Sequence, residues 1–359
     1  MAVTGIQRDL VQLYADMRAG ALLPLWTARD DLMPMQPRPR TLPHLWRWAD
    51  VYAVAQRAGD LIPVGRGGER RAIALANPGL GGEPFATPTL WAALQYLGPH
   101  EVAPEHRHSQ NAFRFVLEGE GVWTVVDGDP VAMRRGDLLL TGGGRFHGHH
   151  NATDQPMAWL DGLDIPLQAT LDSTFFQFGD EEVTDRGTPE RSRSEQLWGH
   201  PGLLPVGAFS DGTSSPLAAY RWSATEAALV DQLEVAASGQ VPGLTDGHAV
   251  VRYVNPETGG DVLNTMRLAM HRIVAGALCE VVQEVGSSVW QVFEGTGSVT
   301  VGAGSTAVRH EVERGDVFVV PSWSPVRIVA ASTLDLFVFS DAPVIEKLGL
   351  HRPSFGSAT

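Results

Sequence analysis

Short runs of β-branched and aromatic residues, divided by glycine-containing turns, dominate the chain from about residue 86. Four such runs occupy residues 114–117, 121–126, 137–141 and 158–163. Strands at such close spacing are typical of an all-β sandwich or barrel. The pattern stops near residue 180 and returns from about residue 265. The sequence therefore predicts two β-rich segments.

Helical periodicity appears outside these segments. At the N-terminus, Thr4 precedes an apolar repeat, which predicts a capped amphipathic helix. Further helices are expected near residues 46–58 and over residues 220–233, and the charged stretch 181–194 is expected to be a surface loop or linker. No stretch approaches the roughly 20 apolar residues of a membrane span, and the N-terminus lacks the apolar run of a signal peptide. We therefore expect a cytoplasmic protein that has no membrane partner.

An internal repeat relates the two β-rich segments. Residues 115–121 (FVLEGEG) are echoed by residues 291–297 (QVFEGTG), and the Arg-Gly-Asp of residues 135–137 is echoed at residues 314–316. A repeat of this length indicates a duplicated domain. The economical interpretation is two β-barrels joined by a helical connection.

Composition narrows the classes of function. The chain has 359 residues, which at roughly 150 residues per domain allows two domains. A formal net charge of −14 disfavours a general nucleic-acid binder, because phosphates would be repelled. Cys279 is the only cysteine, which excludes a disulfide framework, Cys-based zinc sites and iron–sulfur clusters. The 12 histidines are the only plentiful ligands for a transition metal.

Two histidine clusters carry the candidate chemistry. In His106-x-His108, both imidazoles point to one face of a strand, since side chains alternate with a period of two. The cluster at residues 147–150 supplies a third histidine, His147, from a neighbouring strand. Three neutral nitrogens leave open positions on a divalent metal, which suits a metal that must also hold a substrate and a small molecule.

The first β-rich segment resembles a cupin domain. Gly136, Gly144, His147 and Asn151 stand at the spacing of the second cupin motif, with Gly142 where proline is usual. The histidine pair, followed by a glycine, matches the first motif, but the acidic fourth ligand often found after the pair is absent. This departure leaves a site of three histidines.

More widely, the chain resembles the bicupin gentisate and salicylate 1,2-dioxygenases. The matching segments are residues 70–71, 77–79, 104–110, 112–119, 159–164, 252–256 and 339–341. The resemblance implies an all-β dominated bicupin fold, in which two double-stranded β-helix (jelly-roll) barrels carry an N-terminal helical extension and a helical linker. The expected divisions are 1–85 for the N-terminal extension, 86–180 for the metal-bearing catalytic cupin, 181–264 for the linker with a helix, and 265–359 for the second cupin.

The resemblance also implies the residues of the site. The family's Fe(II) ligands, with one Fe(II) per chain, match His106, His108 and His147. Its substrate contacts match Arg70, Trp91, Gln95, Arg114 and His149. Arg114 and His149 are also the candidate catalytic residues, because strand alternation from the histidine ligands places both on the metal face. Asp161 on a following strand either orients a ligand imidazole or is an ordinary buried aspartate.

The second repeat departs from the pattern of the first. When the two Glu-Gly pairs are aligned, Val282, Glu284 and Val326 stand where the first repeat has its three histidines. A single carboxylate cannot hold a metal. The second barrel is therefore expected to be structural or to form an oligomer interface, and the resemblance implies a homotetramer.

The function implied by the resemblance is ring cleavage in aromatic catabolism. Both atoms of O2 would be inserted between the carboxyl-bearing and hydroxyl-bearing carbons of gentisate, salicylate or a substituted salicylate. Gly144 and Phe146 stand where the family has tryptophans, which predicts a site open to a bulkier hydroxy acid than gentisate alone. Two other classes stay open at this point: a cupin isomerase or decarboxylase that uses Mn or Zn, and a non-catalytic ligand-binding cupin.

Overall fold

A computed structural model describes residues 2–62, 64, 71–179, 189–208, 210, 212, 214–281 and 284–352. The chain forms two compact units, Met1–Pro39 and Arg40–Thr359. The first unit holds two helices, α1 (Ala2–Ala19) and α2 (Leu25–Leu32). Helix α1 begins two residues before Thr4, so the prediction that Thr4 caps this helix is wrong, because the helical hydrogen bonding starts upstream of it.

The second unit contains both barrels and the remaining helices. Its helices are α3 (Trp48–Leu61), α4 (Ile165–Thr170), α5 (Arg193–Trp198), α6 (Trp222–Ala237) and α7 (Ala342–Lys347). Helices α3 and α6 confirm the two helices expected near residues 46–58 and 220–233. Residues 181–188 of the expected 181–194 loop lie outside the described residues, and α5 begins within its last part. In the part of the chain that the structure describes, no helix has the length and apolar character to cross a membrane.

Strands are the main secondary structure of the second unit. In the first half of the chain they are β1 (His44–Trp46), β2 (Ala72–Ala74), β3 (Trp91–Leu97), β4 (Val102–His108), β5 (Ala112–Glu118), β6 (Glu120–Val126), β7 (Asp129–Arg134), β8 (Leu138–Thr141), β9 (His147–Asn151), β10 (Met157–Leu163) and β11 (Phe176–Phe178). In the second half they are β12 (Ala219–Tyr220), β13 (His248–Arg252), β14 (Arg267–Ile273), β15 (Leu278–Val281), β16 (Ser288–Glu294), β17 (Thr296–Val301), β18 (Val308–Glu313), β19 (Val317–Val320), β20 (Val326–Ala330) and β21 (Leu334–Ser340).

Four antiparallel sheets form the two barrels. The first barrel pairs the six-stranded sheet β12-β8-β5-β10-β3-β2 with the five-stranded sheet β11-β4-β9-β6-β7. The second pairs the six-stranded sheet β1-β19-β16-β21-β14-β13 with the four-stranded sheet β15-β20-β17-β18. The predicted fold class, a mainly β bicupin, is confirmed.

One hydrophobic core lies between the two six-stranded sheets. Phe113 and Phe115 of β5 reach into it, where Phe115 stacks on Phe337 at 4.1 Å between ring centroids and Phe113 meets Phe339 edge-on at 4.8 Å. The other face of β5 points into the first barrel, so both faces of this strand are buried. The core between the barrels therefore fixes the strand whose opposite face carries Arg114.

The repeated Gly-Asp turns dock two helices in the same way. In the first barrel, Asp137 accepts a hydrogen bond from the backbone N–H of Trp222 at the start of α6, and its second oxygen pairs with Arg221. A Cβ on Gly136 would lie 2.7 Å from Cγ of Trp222, so only glycine allows the indole to pack there. A carboxylate at a helix N-terminus also satisfies free N–H groups and favours the helix dipole.

The second barrel repeats this contact with the other helix. Asp316 accepts a hydrogen bond from the backbone N–H of Trp48 at 2.9 Å and from Arg47 at 2.7 Å, at the start of α3. A Cβ on Gly315 would lie 2.3 Å from Cγ of Trp48. The N-terminus of the helix that precedes each barrel is thus bound by the other barrel, while the helix itself packs on strands of its own barrel.

The strands beside these helices follow the same exchange. Strand β1 pairs with β19 of the second barrel, and β12 pairs with β8 of the first. The next strands return to their own barrels, since β2 pairs with β3 and β13 with β14. Parts of the predicted extension (1–85) and linker (181–264) are therefore barrel strands, because sheet edges recruit partners that are distant in sequence.

We expect the core between the barrels to be a major source of stability. Replacing the fully buried Phe337 by alanine should lower the free energy of unfolding by about 3–5 kcal/mol, because it removes ring contacts and leaves a cavity. Phe178→Ala, at a ring that is 61% exposed, should change stability by less than about 0.5 kcal/mol. Urea unfolding followed by circular dichroism measures both. Equal midpoints for the two variants would contradict a shared core.

Candidate metal centre and substrate cavity

Two adjacent strands of the first barrel bring three histidines together. His106 and His108 lie on β4, and His147 lies on β9, directly opposite His106 in the register. Their ring centroids are 4.3 Å apart for His106 and His147 and 4.9 Å apart for His108 and His147. One ring nitrogen of each lies within 4.8 Å of the other two. The predicted ligand set therefore forms a cluster that can bind a metal.

The backbone determines which nitrogen each imidazole presents. The Nδ1 atoms of His106, His108 and His147 lie 2.9, 3.1 and 3.0 Å from carbonyl oxygens two residues away in the chain. A carbonyl oxygen only accepts hydrogen bonds, so each Nδ1 carries the proton and each Nε2 keeps its lone pair. Metal-bound histidines usually donate their other N–H in this way.

The centre of the cluster fits a cation. His147 is 1% exposed, and no group in the described part of the chain hydrogen-bonds to its Nε2 atom. Burial, followed by the nearby positive charge of Arg114, holds the pKa of His147 well below its usual value, so this imidazole is neutral. A buried acceptor without a donor is costly unless it binds a ligand. Three neutral imidazole nitrogens suit a divalent transition metal.

A cavity of about 680 Å³ opens on the three histidines. Of the predicted substrate-binding and neighbouring residues, the following line it: Trp91, Gln95, Arg114, His149 and Asp161. Arg70 lies outside the described residues. Strand alternation accounts for His149, which shares β9 with His147. Arg114 also lines the cavity, but it does so from β5 of the other sheet and not from the strand of His108, so counting along one strand does not explain its position. Trp91 and Gln95 of β3 line the same cavity.

Arg114 is a buried cation that faces the cavity. Its Nη1 atom donates a hydrogen bond to Thr141 at 2.8 Å, and its Nε atom lies 3.8 Å from a carboxylate oxygen of Asp161, its cross-strand neighbour. Burial lowers the pKa of Arg114, and the charge of Asp161 opposes this shift. A buried guanidinium with one carboxylate at this distance is favourably placed to bind a second anion.

For Asp161 the sequence left two roles open, orienting a ligand imidazole or being an ordinary buried aspartate. It accepts a hydrogen bond from Trp159 Nε1 at 3.1 Å and lies beside Arg114. The expectation that it orients a ligand imidazole is corrected, because backbone carbonyls hold the Nδ1 atoms of all three ligands. Asp161 instead contributes negative charge behind the arginine.

His149 lies on the same face of β9 as His147. Its ring centroid is 6.3 Å from that of His147 and 5.1 Å from that of Trp159, and the side chain is 1% exposed. His150 lies on the opposite face, where its ring meets Trp123 edge-on at 4.4 Å. His149 is thus beside the metal cluster without belonging to it, within reach of a ligand in the cavity.

Part of the cavity wall was not predicted. Phe176 of β11 pairs with His108 across the sheet, and its ring stacks on His106 at 5.5 Å. Phe175 also lines the cavity, as do Ile165 and Ala169 of α4. Only the short Phe-Gln-Phe alternation of β11 indicates a strand, and nothing local shows which strand it joins.

Gly144 and Phe146 stand where the sequence predicted a wider site. Neither is among the described residues that line the cavity, and a Cβ on Gly144 would meet no atom within 4 Å. The ring of Phe146 packs under the guanidinium of Arg107 at 4.7 Å. Both residues lie in the turn before β9, and that they leave the site open to a bulkier hydroxy acid stays a prediction.

Two jelly-roll barrels, one of which holds three convergent histidines, define a bicupin protein with a single cupin-type metal cluster in the first barrel. The Cupin domain family model matches residues 93–163, which span β3 to β10.

Relatives that match nearly the whole chain identify the family to which it belongs within the cupins. A gentisate 1,2-dioxygenase from a Streptomyces species is 61% identical over 348 residues, covering 97% of this chain and 96% of that protein. A 5-aminosalicylate 1,2-dioxygenase from a Comamonas species is 35% identical over 98% of this chain and 91% of its own. A crystal structure of salicylate 1,2-dioxygenase from Pseudoaminobacter salicylatoxidans, an adduct with gentisate, matches with a TM-score of 0.91 and 54% identity, over 96% of this chain and 93% of that one.

The chain belongs to the gentisate and salicylate 1,2-dioxygenase family, and it is a ring-cleaving dioxygenase. The isomerase or decarboxylase and the non-catalytic cupin that the sequence left open are set aside by this membership.

The metal centre predicts a sharp difference between two histidines of one strand. We expect His147→Ala to weaken Fe(II) binding to the first barrel by at least about tenfold, since it removes a direct ligand. His150→Gln changes the same strand on its opposite face and should leave Fe(II) binding intact. Iron per chain after anaerobic loading and gel filtration measures both. Equal iron in the two variants would show that the cluster is not the binding site.

Proposed function

We propose that this protein binds one Fe(II) per chain through His106, His108 and His147 and cleaves the ring of an aromatic 2-hydroxy acid. The observation that supports this most strongly is the convergence of three Nε2 atoms on a cavity that also contains a buried arginine. Bound Fe(II) supplies open coordination positions at which the substrate oxygens and O2 react. Binding of the substrate carboxylate and ring, and transfer of the hydroxyl proton, are assigned to side chains of the protein.

Arg114 is proposed to bind the substrate carboxylate. Its guanidinium is buried, faces the cavity and is held by Thr141. The planar fork of arginine matches a carboxylate, and the low dielectric of the cavity strengthens the pair. Asp161, 3.8 Å away, keeps the guanidinium in place when the cavity is empty. The substrate carboxylate is thereby fixed in orientation before the ring is attacked.

His149 is proposed to hold and move the proton of the substrate hydroxyl. The side chain is buried beside the metal cluster and lines the cavity. A neutral imidazole accepts a proton from a phenol whose acidity has been raised, and it returns the proton later in the cycle. The phenolate form is the electron-rich ring that the cleavage requires.

Three further residues complete the proposed substrate site. Trp91 presents an indole to the cavity for contact with the aromatic ring, and Gln95 presents an amide for hydrogen bonding to a ring substituent. Arg70, which lies outside the described residues, is proposed as a substrate contact on the family resemblance alone. Phe176 covers the ligand His106 and limits access of water to it.

The proposed substrates are gentisate and salicylates, including those substituted at the 5-position. Relatives named for gentisate and for 5-aminosalicylate both match nearly the whole chain. The bond that breaks is the ring bond between the carboxyl-bearing and hydroxyl-bearing carbons, and both atoms of one O2 are incorporated in the product. A cavity of about 680 Å³ has room for a substituted single ring.

The second barrel is proposed to serve structure rather than turnover. Val326 and Ala330, at positions that match His147 and Asn151, are buried in its own hydrophobic interior. Glu284 is a lone carboxylate in place of the first histidine pair, and Val282 lies outside the described residues.

Oxygen consumption tests the proposed reaction. After anaerobic loading with Fe(II), we expect gentisate, salicylate and 5-aminosalicylate each to consume equimolar O2 and to give a ring-opened product that is detected spectrophotometrically. Benzoate lacks the hydroxyl and phenol lacks the carboxylate, so neither should react. No O2 uptake with any hydroxybenzoate would refute the proposed function.

A variant at Arg114 shows whether the carboxylate is recognised as proposed. Arg114→Gln should lower kcat/KM for salicylate roughly 10- to 100-fold, since a charge-assisted hydrogen bond contributes about 1.5–3 kcal/mol. Inhibition by catechol, which has no carboxylate, should be unchanged. Arg134→Gln, at an exposed arginine of β7, is the matched control and should retain activity. Equal losses for salicylate turnover and catechol binding would contradict the role of Arg114.

We also propose a homotetramer in which the N-terminal unit contacts other copies of the chain. Within Met1–Pro39, apolar side chains are exposed, among them Ile6 (64%), Val11 (65%), Leu23 (77%) and Trp26 (63%). A run of exposed apolar side chains of this size marks an interaction surface. Light scattering after gel filtration should give four times the chain mass, and Val11→Glu with Trp26→Glu should give smaller species. A monomeric wild-type chain would overturn the proposal.

A further inference from the structure

A second cluster of metal-binding side chains lies in the second barrel. His248 of β13, His271 of β14 and Cys279 of β15 each offer one ligand atom within 4.8 Å of the other two. Cys279 is 3% exposed and His271 is 9% exposed. These residues do not match the ligand positions of the first barrel, and the dioxygenase reaction does not use them.

Strand register explains why the two histidines meet. His248 pairs with Ile273, so His271, two residues before Ile273, is its diagonal neighbour on the same face of the sheet. His248 Nε2 lies 3.1 Å from His271 Nδ1, and the ring planes are 24° apart. Two ligand atoms on one tetrahedral zinc lie roughly 3.4 Å apart. The imidazoles are therefore already at a separation that one cation can bridge in place of the hydrogen bond.

Cys279 reaches the pair from the other sheet of the barrel. The turn between β14 and β15 contains Gly276, which adopts a positive φ of 82° and donates a hydrogen bond to the carbonyl of Ala330. Gly247, just before His248, accepts a hydrogen bond from Val274 of the same turn, and a Cβ on Gly247 would lie 3.0 Å from side chains of that turn. The backbone around the cluster is thus fixed by its own contacts, so the ligands are held in place without a metal.

We propose that His248, His271 and Cys279 form a second metal site, which binds a zinc-class cation inside the second barrel. Two imidazoles and one thiolate suit a borderline-soft ion such as Zn²⁺, with water in the fourth position. The presence of one cysteine excludes sites that need several thiolates, whereas this mixed site needs only one. The proposal goes beyond the dioxygenase reaction and does not depend on it.

The environment of the cluster is compatible with a cation. Burial, followed by the proximity of His248, lowers the pKa of His271 to about 3, so its imidazole is neutral and offers a lone pair. Burial and then the charge of Glu280 raise the pKa of Cys279 to about 11, so the incoming cation displaces the thiol proton to solvent. The indole of Trp290, 4.8 Å from the ring of His271, closes the inner side of the cluster.

The cluster lies where strands from both sheets of the second barrel meet, so a bound cation would stabilise that barrel. In the alignment of the two repeats, His271 stands where the first barrel has Gln95, which lines the first cavity. A cation there links β13, β14 and β15, and so ties the two sheets of the second barrel together. Zinc bound to the folded state alone stabilises that state.

Cobalt(II) binding tests the site in the full-length, untagged protein. His147→Ala is introduced first, so that the three-histidine cluster of the first barrel does not bind the probe. We expect about one Co²⁺ per chain, with a thiolate-to-cobalt charge-transfer band in the near ultraviolet. Cys279 is the only thiol, so such a band identifies this site without ambiguity.

Added variants separate a metal site from a structural hydrogen bond. In the same background, Cys279→Ser should abolish the band and weaken Zn²⁺ binding by about tenfold or more, and His248→Gln should weaken both. His310→Gln, at a histidine of β18 in the same barrel, should change neither. Zn²⁺ should raise the thermal midpoint of the His147→Ala protein and leave that of its Cys279→Ser derivative unchanged. No cobalt band before further substitution, or zinc binding that is the same with and without Cys279, would overturn the proposal.

Discussion

The hydrophobic core between the two six-stranded sheets is the interaction on which the rest of the molecule depends. Phe115 stacks on Phe337, and Phe113 packs against Phe339, so β5 is held from one side by the second barrel. Burying each such ring contributes about 1.5–3 kcal/mol and allows little movement, because protein interiors are close-packed. Successive residues of a strand face opposite ways, so Arg114 between the two phenylalanines has only the interior of the first barrel to occupy. The position of Arg114, the proposed carboxylate-binding residue, therefore depends on packing between the two barrels.

The second barrel contributes to the site although the histidine ligands of the first have no counterpart in it. Each repeated Gly-Asp turn receives the helix that precedes the other barrel: Asp137 receives α6, and Asp316 receives α3. These two docking contacts, together with the pairing of β1 with β19 and of β12 with β8, bind each half of the chain to the other. In such a duplicated protein, the second barrel can lack the metal cluster and still be needed. Its strands and turns hold the first barrel, which contains the proposed active site. The same logic explains why the Arg-Gly-Asp repeat persists in both halves.

Local periodicity was enough to predict much of the fold and the site, and distant pairing accounts for what it missed. The two-residue alternation placed His149 on the face of His147, and the internal repeat predicted two barrels. Arg114 was expected on the strand of His108, but it reaches the cavity from β5 of the other sheet. The exchange of β1 and β12 was not predictable, because no short-range signal names the strand that a sheet edge will recruit. Phe176 was missed for the same reason. The cluster of His248, His271 and Cys279 joins three separate segments, and none of them contains a metal-binding motif by itself. The register of β13 on β14 is needed to show that the two histidines are neighbours.

The proposed substrate is an anion although the protein is acidic. Charges inside the cavity therefore matter more for binding than the net charge of the chain. The net charge of −14 is a sum over the whole chain, and the fields of its exposed side chains are screened beyond about 8 Å at physiological ionic strength. Inside the cavity, Arg114 is 3% exposed and the pKa of His147 is lowered by burial and then by Arg114, so this ligand stays neutral. Neutral ligands leave the full charge of a divalent cation uncompensated, in contrast to a site that includes a carboxylate. At short range and in low dielectric, that charge and one guanidinium outweigh many screened surface carboxylates. The absence of an acidic fourth ligand is thus a physical reason for the site to prefer substrates that arrive as anions.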